Sequence, residues 1–185
     1  MGINFSHANV IKFDNRPFKD VTEMNEALVR NWNEVVREED NVYYIGDFSF
    51  GGAEETEKYL RRLNGHKHLI LGNHDMDANY NIKPKLEQVF KKYFETITHL
   101  KSVTYKGYMF DMCHYPIEEW HWQHKGKIML HGHSHNTAQY NAKQQYRRYD
   151  VGVRANNYYP VSLDQIISIV KDRPTKTHHD DRQYR

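Results

Sequence analysis

Apolar side chains recur at helical spacing in residues 20–37, where Met24, Leu28 and Trp32 would lie on one face. Asp20 precedes this run and Glu23 follows it by three positions, which is the pattern of a helix-initiating capping box. The pattern therefore predicts an amphipathic helix over 20–37. By the same criteria, further helices are predicted over 53–63, 85–94 and 163–170.

Short β-prone runs alternate with these helices. Strands are predicted over 41–45, 67–71, 96–104, 108–113, 127–130 and 146–153. Lys106 and Gly107 separate two of these runs and predict a hairpin there. Several of the strands end in polar loops that contain glycine. This order predicts an α/β protein with functional groups where its strands end.

Composition limits the classes of protein that need to be considered. The chain has 185 residues, a formal charge of +2 and 38% hydrophobic residues, which suits one domain over 1–170. The polar segment 171–185 is predicted to be a flexible tail. With scattered lysine and arginine, no apolar run long enough to span a membrane and no leader, we expect a cytoplasmic, non-membrane protein. A nucleic-acid partner remains open.

Candidate chemistry lies at the strand ends, where several of the thirteen histidines stand beside glycine. The three loop motifs are Gly46-Asp47, Gly72-Asn73-His74-Asp75 and Gly132-His133-Ser134-His135, and His114 follows another strand. Imidazole, carboxylate and amide oxygens together suit Mn, Fe, Ni or Zn. The sequence thus predicts a pocket for divalent metal ions, one or two per chain.

The spacing of His133 and His135 allows two arrangements. Both imidazoles could point into one pocket if the loop bends sharply, and Gly132 would permit such a bend. Alternatively, the two histidines could serve two neighbouring ions. Two ions about 3.5–4 Å apart can clamp a phosphate ester.

In this order the motifs GD, GNHD, a lone histidine after a strand and GHSH resemble those of the calcineurin-like metallophosphoesterases. The resemblance covers about residues 4–166, and HANVIKFDNRPF and LHGHSHN are similar to a small phage and bacterial branch of that family. It implies a two-layered β-sandwich flanked by helices. It also implies metal-dependent hydrolysis of a phosphate mono- or diester, nucleotide-like in this case, by a metal-activated hydroxide.

The resemblance also implies roles for particular residues. The expected metal ligands are Asp47, Asn73, His114, His133 and His135, with Asp47 bridging two ions and His135 binding the first. His74 would act near the phosphate as general acid or transition-state stabiliser, with Asp75 orienting it. His7 and Arg16 are candidate contacts to the substrate phosphate.

The chain departs from the family pattern at its start. Gly2 and Asn4 stand where the family has the Asp-x-His ligands of the first metal. An incompletely assigned start, a natural one-metal variant and a protein turned binding module are the three explanations. A metal-dependent hydrolase is the leading interpretation, and the alternative is a catalytically impaired binding protein of the same fold.

Overall fold

The computed structural model describes residues 3–176, in which six α-helices and seven β-strands form one α/β domain. The helices are α1 (Ala8–Phe13), α2 (Val21–Val35), α3 (Ala53–Leu60), α4 (Pro84–Tyr93), α5 (Ala138–Lys143) and α6 (Leu163–Val170). The strands are β1 (Asn41–Ile45), β2 (His66–Ile70), β3 (Thr96–Thr98), β4 (Leu100–Tyr105), β5 (Tyr108–Cys113), β6 (Ile128–His131) and β7 (Arg148–Asp150). Gly2 and residues 177–185 lie outside the described residues.

The strands form two sheets, as the predicted sandwich requires. One sheet has the order β1-β2-β3 with all strands parallel, and the other has the order β4-β5-β6-β7. In the second sheet β4 is antiparallel to β5, whereas β5, β6 and β7 are parallel. Residues of both sheets and of the flanking helices share one buried hydrophobic cluster. The predicted fold class, a single α/β domain with two sheets and flanking helices, is confirmed.

The predicted strand 96–104 is divided between the two sheets. Its first part is β3, which pairs with β2, and its second part is β4, which pairs with β5. His99 stands between the two parts. The predicted hairpin connects β4 to β5, and Lys106 and Gly107 adopt φ values of 48° and 81°, as a tight two-residue turn requires.

Side-chain caps begin the two best-predicted helices. The Asp20 carboxylate accepts a hydrogen bond from the Glu23 amide at the start of α2, and Ser162 and Gln165 form a reciprocal capping box at α6. Helices α1 and α5 were not predicted, because each has six residues and lacks a regular apolar spacing. Within residues 3–176, no helix is long and apolar enough to cross a membrane.

The described start of the chain is attached to the loop that follows β1. The amides of Asn4 and Phe5 donate to the carbonyl oxygens of Asp47 and Phe48 at 3.1 and 3.0 Å, and the Phe50 amide donates to the Phe5 carbonyl at 2.8 Å. Phe5 is fully buried and stacks on Tyr59 with ring centroids 4.6 Å apart. This short pairing brings Asn4 beside Asp47.

Part of the predicted flexible tail contacts the domain. The Arg173 guanidinium donates to the carbonyl oxygens of Asn141 at 2.7 Å and Arg148 at 3.0 Å. Lys176 is also buried. Residues 171–176 therefore lie against the domain.

Replacing Phe5 by alanine tests this anchor. Phe5→Ala removes the ring that packs on Tyr59 and Phe48, and we expect it to lower the free energy of unfolding by about 3–5 kcal/mol. Urea denaturation followed by circular dichroism would measure the change. Val35→Ala, at a largely exposed apolar position, is the control and should cost under about 1 kcal/mol. Equal losses in the two variants would contradict the proposed anchoring.

Candidate metal centre

The functional loops meet at one edge of the sandwich. Gly46-Asp47 follows β1, Asn73 lies in the loop after β2, His114 directly follows β5, and His133 follows β6. Parallel strands present their carboxyl ends on the same side of a sheet, so these loops come together. Asp47, His114 and His133 each place a possible ligand atom within 4.8 Å of the others.

His114 is held in the orientation that a metal ligand needs. Its Nδ1 donates to the backbone oxygen of Ile45 at 3.0 Å, so in the neutral ring Nε2 is the nitrogen that is free to bind a metal ion. That Nε2 lies 3.0 Å from Asn73 Oδ1, 3.2 Å from His133 Nδ1 and 3.4 Å from Asp47 Oδ2. One side-chain atom from each of four residues therefore converges on the same space.

These four atoms fit one divalent cation. Asp47, Asn73 and His114 present acceptor atoms, and Asn73 Oδ1 also lies 3.0 Å from His133 Nδ1. Acceptors so close together repel unless a cation or shared protons lie between them. A mixed set of oxygen and nitrogen ligands without thiolate suits Mn, Fe, Ni or Zn. The residues present thus fit the divalent ion that the sequence predicted.

The protonation states also favour a cation. Burial by itself would raise the pKa of Asp47, but the hydrogen bond and charge of a protonated His114 outweigh burial and lower that pKa. Burial likewise lowers the pKa of His114, but Asp47 outweighs it and raises that pKa, so a bound cation would replace the proton that the two groups share. The pKa of His133 is lowered, mainly by burial and then by the neighbouring His114. An ionised carboxylate and a neutral imidazole are the forms that bind metal.

Two glycines make room for these side chains. A side-chain carbon at Gly46 would collide with the His114 ring, and one at Gly72 would collide with the Asp47 carboxylate. Asp47 itself has φ 53°, a left-handed conformation that is uncommon outside glycine. The loop after β6 bends at His133 and His135, with φ values of 63° and 47°, and not at Gly132 as the sequence had suggested.

His135 belongs to a second cluster beside the first. Its Nδ1 lies 3.0 Å from Asp14 Oδ2, and its Nε2 lies 3.3 Å from Asn4 Nδ2. Asn4 Oδ1 is buried and has no hydrogen-bond partner within the described part of the chain. His135 lines the same small cavity as Asp47 and His114, but it is not part of the group of three converging ligands. Its predicted ligation of a first metal stays a prediction.

The two predicted substrate residues lie in different surroundings. Arg16 is buried, with Nε and Nη2 donating to Asp14 at 3.2 and 3.0 Å and Nη1 directed at Met24 Sδ. In this conformation the hydrogen bonds of Arg16 go to other protein groups. The geometry therefore favours a role in positioning Asp14 and not the predicted contact with phosphate. His7 is half-buried and its ring centroid lies 3.9 Å from that of Phe50.

His74 is exposed at the edge of the centre. Its amide donates to Asp47 Oδ1 at 2.8 Å, and its ring centroid lies 4.3 Å from that of Phe50. Asp75, predicted to orient His74, has other contacts. Its carboxylate accepts hydrogen bonds from the amides of Asp47 at 2.8 Å, Gly72 at 2.9 Å and Phe48 at 3.2 Å. Asp75 therefore ties the loop after β1 to the loop after β2, and it positions Asp47 through the backbone.

Three residues at the centre were missed by sequence reasoning. Asp14 bonds to His135, the Arg154 guanidinium donates to the His135 carbonyl at 2.9 Å, and the Tyr115 ring lies 5.0 Å from the His133 ring. Tyr115 directly follows His114, so adjacency to a predicted ligand was its available signal. Asp14 and Arg154 carried no comparable local signal, because their contacts with His135 depend on the fold.

Known proteins resemble this chain over most of its length. The family model for calcineurin-like phosphoesterase matches residues 20–181. "Uncharacterized protein MJ1445" of Methanocaldococcus jannaschii is 37% identical and is matched over 91% of this chain and 87% of its own length. The Gene 66 protein of Mycobacterium phage L5 is 30% identical over 82% of this chain and 83% of its own length, which confirms the predicted likeness to a phage branch.

A solved structure resembles the fold. The crystal structure of AQ665, a protein of unknown function from Aquifex aeolicus, superimposes with a TM-score of 0.67 and 25% identity. The match covers 91% of this chain and 95% of that chain. This likeness supports the two-sheet architecture that places the loops at one edge.

Metal content tests the centre directly. His114→Ala removes the nitrogen that lies between Asn73 and Asp47, so we expect the bound ion to fall from about one per chain to well below that. Elemental analysis after dialysis against Mn, Ni or Zn would measure it. His66→Ala, which removes an exposed histidine paired with Glu95, is the matched control and should leave the metal content unchanged. Undiminished metal content in His114→Ala would contradict the assigned centre.

Asp75→Asn tests the link between the loops. An amide has one acceptor oxygen for three backbone donors, so we expect a loss of about 1–3 kcal/mol in the free energy of unfolding.

The same variant tests a pH dependence. Burial, helped by the charge of Asp47, raises the pKa of Asp75 to about 6. This value exceeds that of an unfolded carboxyl, so wild-type stability should fall as pH rises toward 6, a dependence that the Asn variant lacks.

Urea unfolding of both metal-free proteins across this pH range would measure the effect. The stability advantage of wild type over Asp75→Asn should narrow as the pH rises through the window. A gap that widens instead would contradict the raised pKa.

Proposed function

Because the chain belongs to the calcineurin-like phosphoesterase family, we propose that it is a hydrolase that cleaves a phosphate mono- or diester with one divalent ion. The observation that carries this proposal is the convergence of Asp47, Asn73, His114 and His133 on one space. The ion held there would supply Lewis-acid polarisation of the phosphate and activation of water. The chain's own groups would position the ester and move the leaving group's proton.

Asp47 and His114 set the geometry of the centre. Asp47 Oδ1 accepts a hydrogen bond from the His74 amide at 2.8 Å, and Oδ2 lies 3.4 Å from His114 Nε2, so Oδ2 is the oxygen that would help to hold an ion. The Ile45 carbonyl fixes the His114 ring, and Asp75 fixes the Asp47 backbone. Such preorganisation means that little rearrangement is needed when the ester binds.

His74 is the proposed general acid. Its ring is exposed beside the centre, next to Phe50, and its own backbone is bonded to Asp47. From this position it would donate a proton to the departing ester oxygen, a step typically worth about 10²–10⁴ in rate. A general acid accelerates the reaction most when the leaving alcohol is a weak acid.

The ester phosphate would lie at the mouth of the cavity and not inside it. The enclosed space at the centre is about 10 Å³, which has room for about one water molecule. Arg154 lines this space, and only one of its guanidinium nitrogens bonds to the His135 carbonyl. Its further N–H groups make Arg154 a candidate anchor for a phosphate oxygen.

A catalytically impaired binding protein is the second candidate function. It is favoured by the His135 cluster, in which Asn4, which the resemblance aligns with a family metal ligand, and Asp14 both contact the His135 ring. Such a protein would keep the ion and the fold but turn over no ester.

Hydrolysis of bis(p-nitrophenyl) phosphate and of p-nitrophenyl phosphate with Mn, Fe, Ni or Zn would test catalysis. We expect metal-dependent turnover in wild type and in His66→Ala, and its loss in Asp47→Asn. His74→Ala should lower kcat by about 10²-fold or more, and the loss should be larger for a diester with an alkyl leaving group.

The outcomes separate the two candidates. If wild type binds an ion but never exceeds Asp47→Asn with any of the four metals, the hydrolase proposal is wrong and the binding protein is favoured. If His74→Ala lowers turnover equally for aryl and alkyl leaving groups, His74 is not the general acid.

A further inference from the structure

A row of aromatic rings leads from the surface to the metal centre. The ring centroids of Phe13 and His7 lie 6.4 Å apart and meet edge to face, those of His7 and Phe50 lie 3.9 Å apart, and those of Phe50 and His74 lie 4.3 Å apart. We call these four residues the aromatic ledge. Its inner end is His74, whose amide bonds to Asp47. The ledge is therefore continuous with the proposed catalytic centre.

Phe13 at the outer end is unusually exposed. Its exposed fraction is 77%, the highest among the large hydrophobic residues of the described chain. It ends α1, a helix in which only Val10 is buried, so the domain's core does not cover its ring. A single exposed apolar residue is ordinary on a protein surface, but Phe13 adjoins a series of ring contacts that ends beside the metal centre, which makes it a candidate binding residue.

The position of Phe13 is nevertheless well fixed. The next residue, Asp14, is buried and bonds to both Arg16 and His135. The Asp14 amide also donates to the Val10 carbonyl at 2.9 Å. A ring presented on an anchored backbone can bind a flat ligand at a low entropy cost.

A second aromatic side chain flanks the centre at His133. Tyr115 is also exposed, and its ring centroid lies 5.0 Å from that of His133. The metal centre thus has aromatic rings next to His133 and next to the neighbouring His74. Flat aromatic groups joined to a phosphate are the ligands that such surroundings suit.

The length of the ledge distinguishes a nucleoside from a simple aryl ester. In an aryl phosphate the ring is bonded directly to the ester oxygen, so it would reach His74 or Phe50 only. In a nucleoside phosphate the sugar separates the base from phosphorus, which lets the base reach the outer rings. Stacking of a base on an aromatic side chain is typically worth about 1–3 kcal/mol.

We propose that the aromatic ledge binds the base of a nucleoside phosphate ester, with Phe13 as the outer stacking residue and the phosphate at the metal centre. This inference rests on the proposed hydrolase function and names its substrate class. No group of the ledge other than His74 takes part in bond breaking. Phe13 is thus a specificity residue.

Two esters with the same leaving group test the ledge. Thymidine 5′-(p-nitrophenyl phosphate) and methyl p-nitrophenyl phosphate both release p-nitrophenol, but only the first carries a base. We expect Phe13→Ala to lower kcat/KM for the thymidine ester about tenfold, mainly through KM, and to leave the methyl ester within about twofold. Phe13→Trp should retain the activity on the thymidine ester.

Ile169→Ala is the matched control, because Ile169 is an exposed apolar residue on α6, outside the ledge. Ile169→Ala should change kcat/KM for neither ester. If Phe13→Ala lowers kcat/KM equally for both esters, or for neither, the base does not stack on Phe13 and the inference is wrong.

Failure of the ledge can be told apart from failure of the hydrolase. If wild type hydrolyses neither ester with any metal, the proposed function is wrong, and calorimetric titration then tests the ledge. Thymidine 5′-monophosphate should bind the metal-loaded wild type more tightly than methyl phosphate does, and Phe13→Ala should remove that preference. Equal affinities for the two ligands in wild type would overturn the ledge as a base-binding surface.

Discussion

The structure of the functional edge depends on the crowding of hydrogen-bond acceptors at the ends of β1, β2, β5 and β6. When the His114 ring is neutral, its proton lies on Nδ1 and is donated to Ile45, so Asp47, Asn73 and His114 aim acceptor atoms at one another. Such an arrangement is unfavourable without a cation and favourable with one. The glycines at 46 and 72 and the left-handed backbone of Asp47 all serve to bring these groups close.

Charge balance explains why the two neighbouring clusters differ. Asp14 is neutralised within the protein by Arg16 at 3.0 Å, a pair whose side chains are both nearly inaccessible to water. Within residues 3–176 no arginine forms an ion pair with Asp47, whose carboxylate instead faces His114 and His133. The negative charge that requires an external cation is therefore on the Asp47 side, which agrees with one ion per chain. Beside His135, the buried Arg16 guanidinium supplies the positive charge that balances Asp14.

Sequence reasoning succeeded where a local pattern determines the structure. The capped helices α2 and α6, the first two strands and the loops that follow them could be predicted from periodicity, capping residues and glycine-centred motifs. It failed where a contact depends on the assembled fold. One β-prone run is divided at His99, and its two parts pair with strands of different sheets, which the local sequence does not determine. The roles of Asp14 and Asp75 likewise depend on partners 121 and up to 28 residues away.

The N-terminal segment contributes residues both to the surroundings of the metal centre and to the aromatic ledge. Residues 3–16 include Asn4, which lies beside Asp47, and the ledge residues His7 and Phe13. They also include the ion pair of Asp14 and Arg16, in which Asp14 bonds to His135. The loops that hold the ion come instead from the sheets. Phe5 anchors this segment through two ring contacts and through backbone pairing with the loop that carries Asp47, so the segment is attached directly to one of the ion-binding loops. Under the proposed function, the loops at the strand ends would determine metal affinity, and His7 and Phe13 of the N-terminal segment would contribute to selection of the ester.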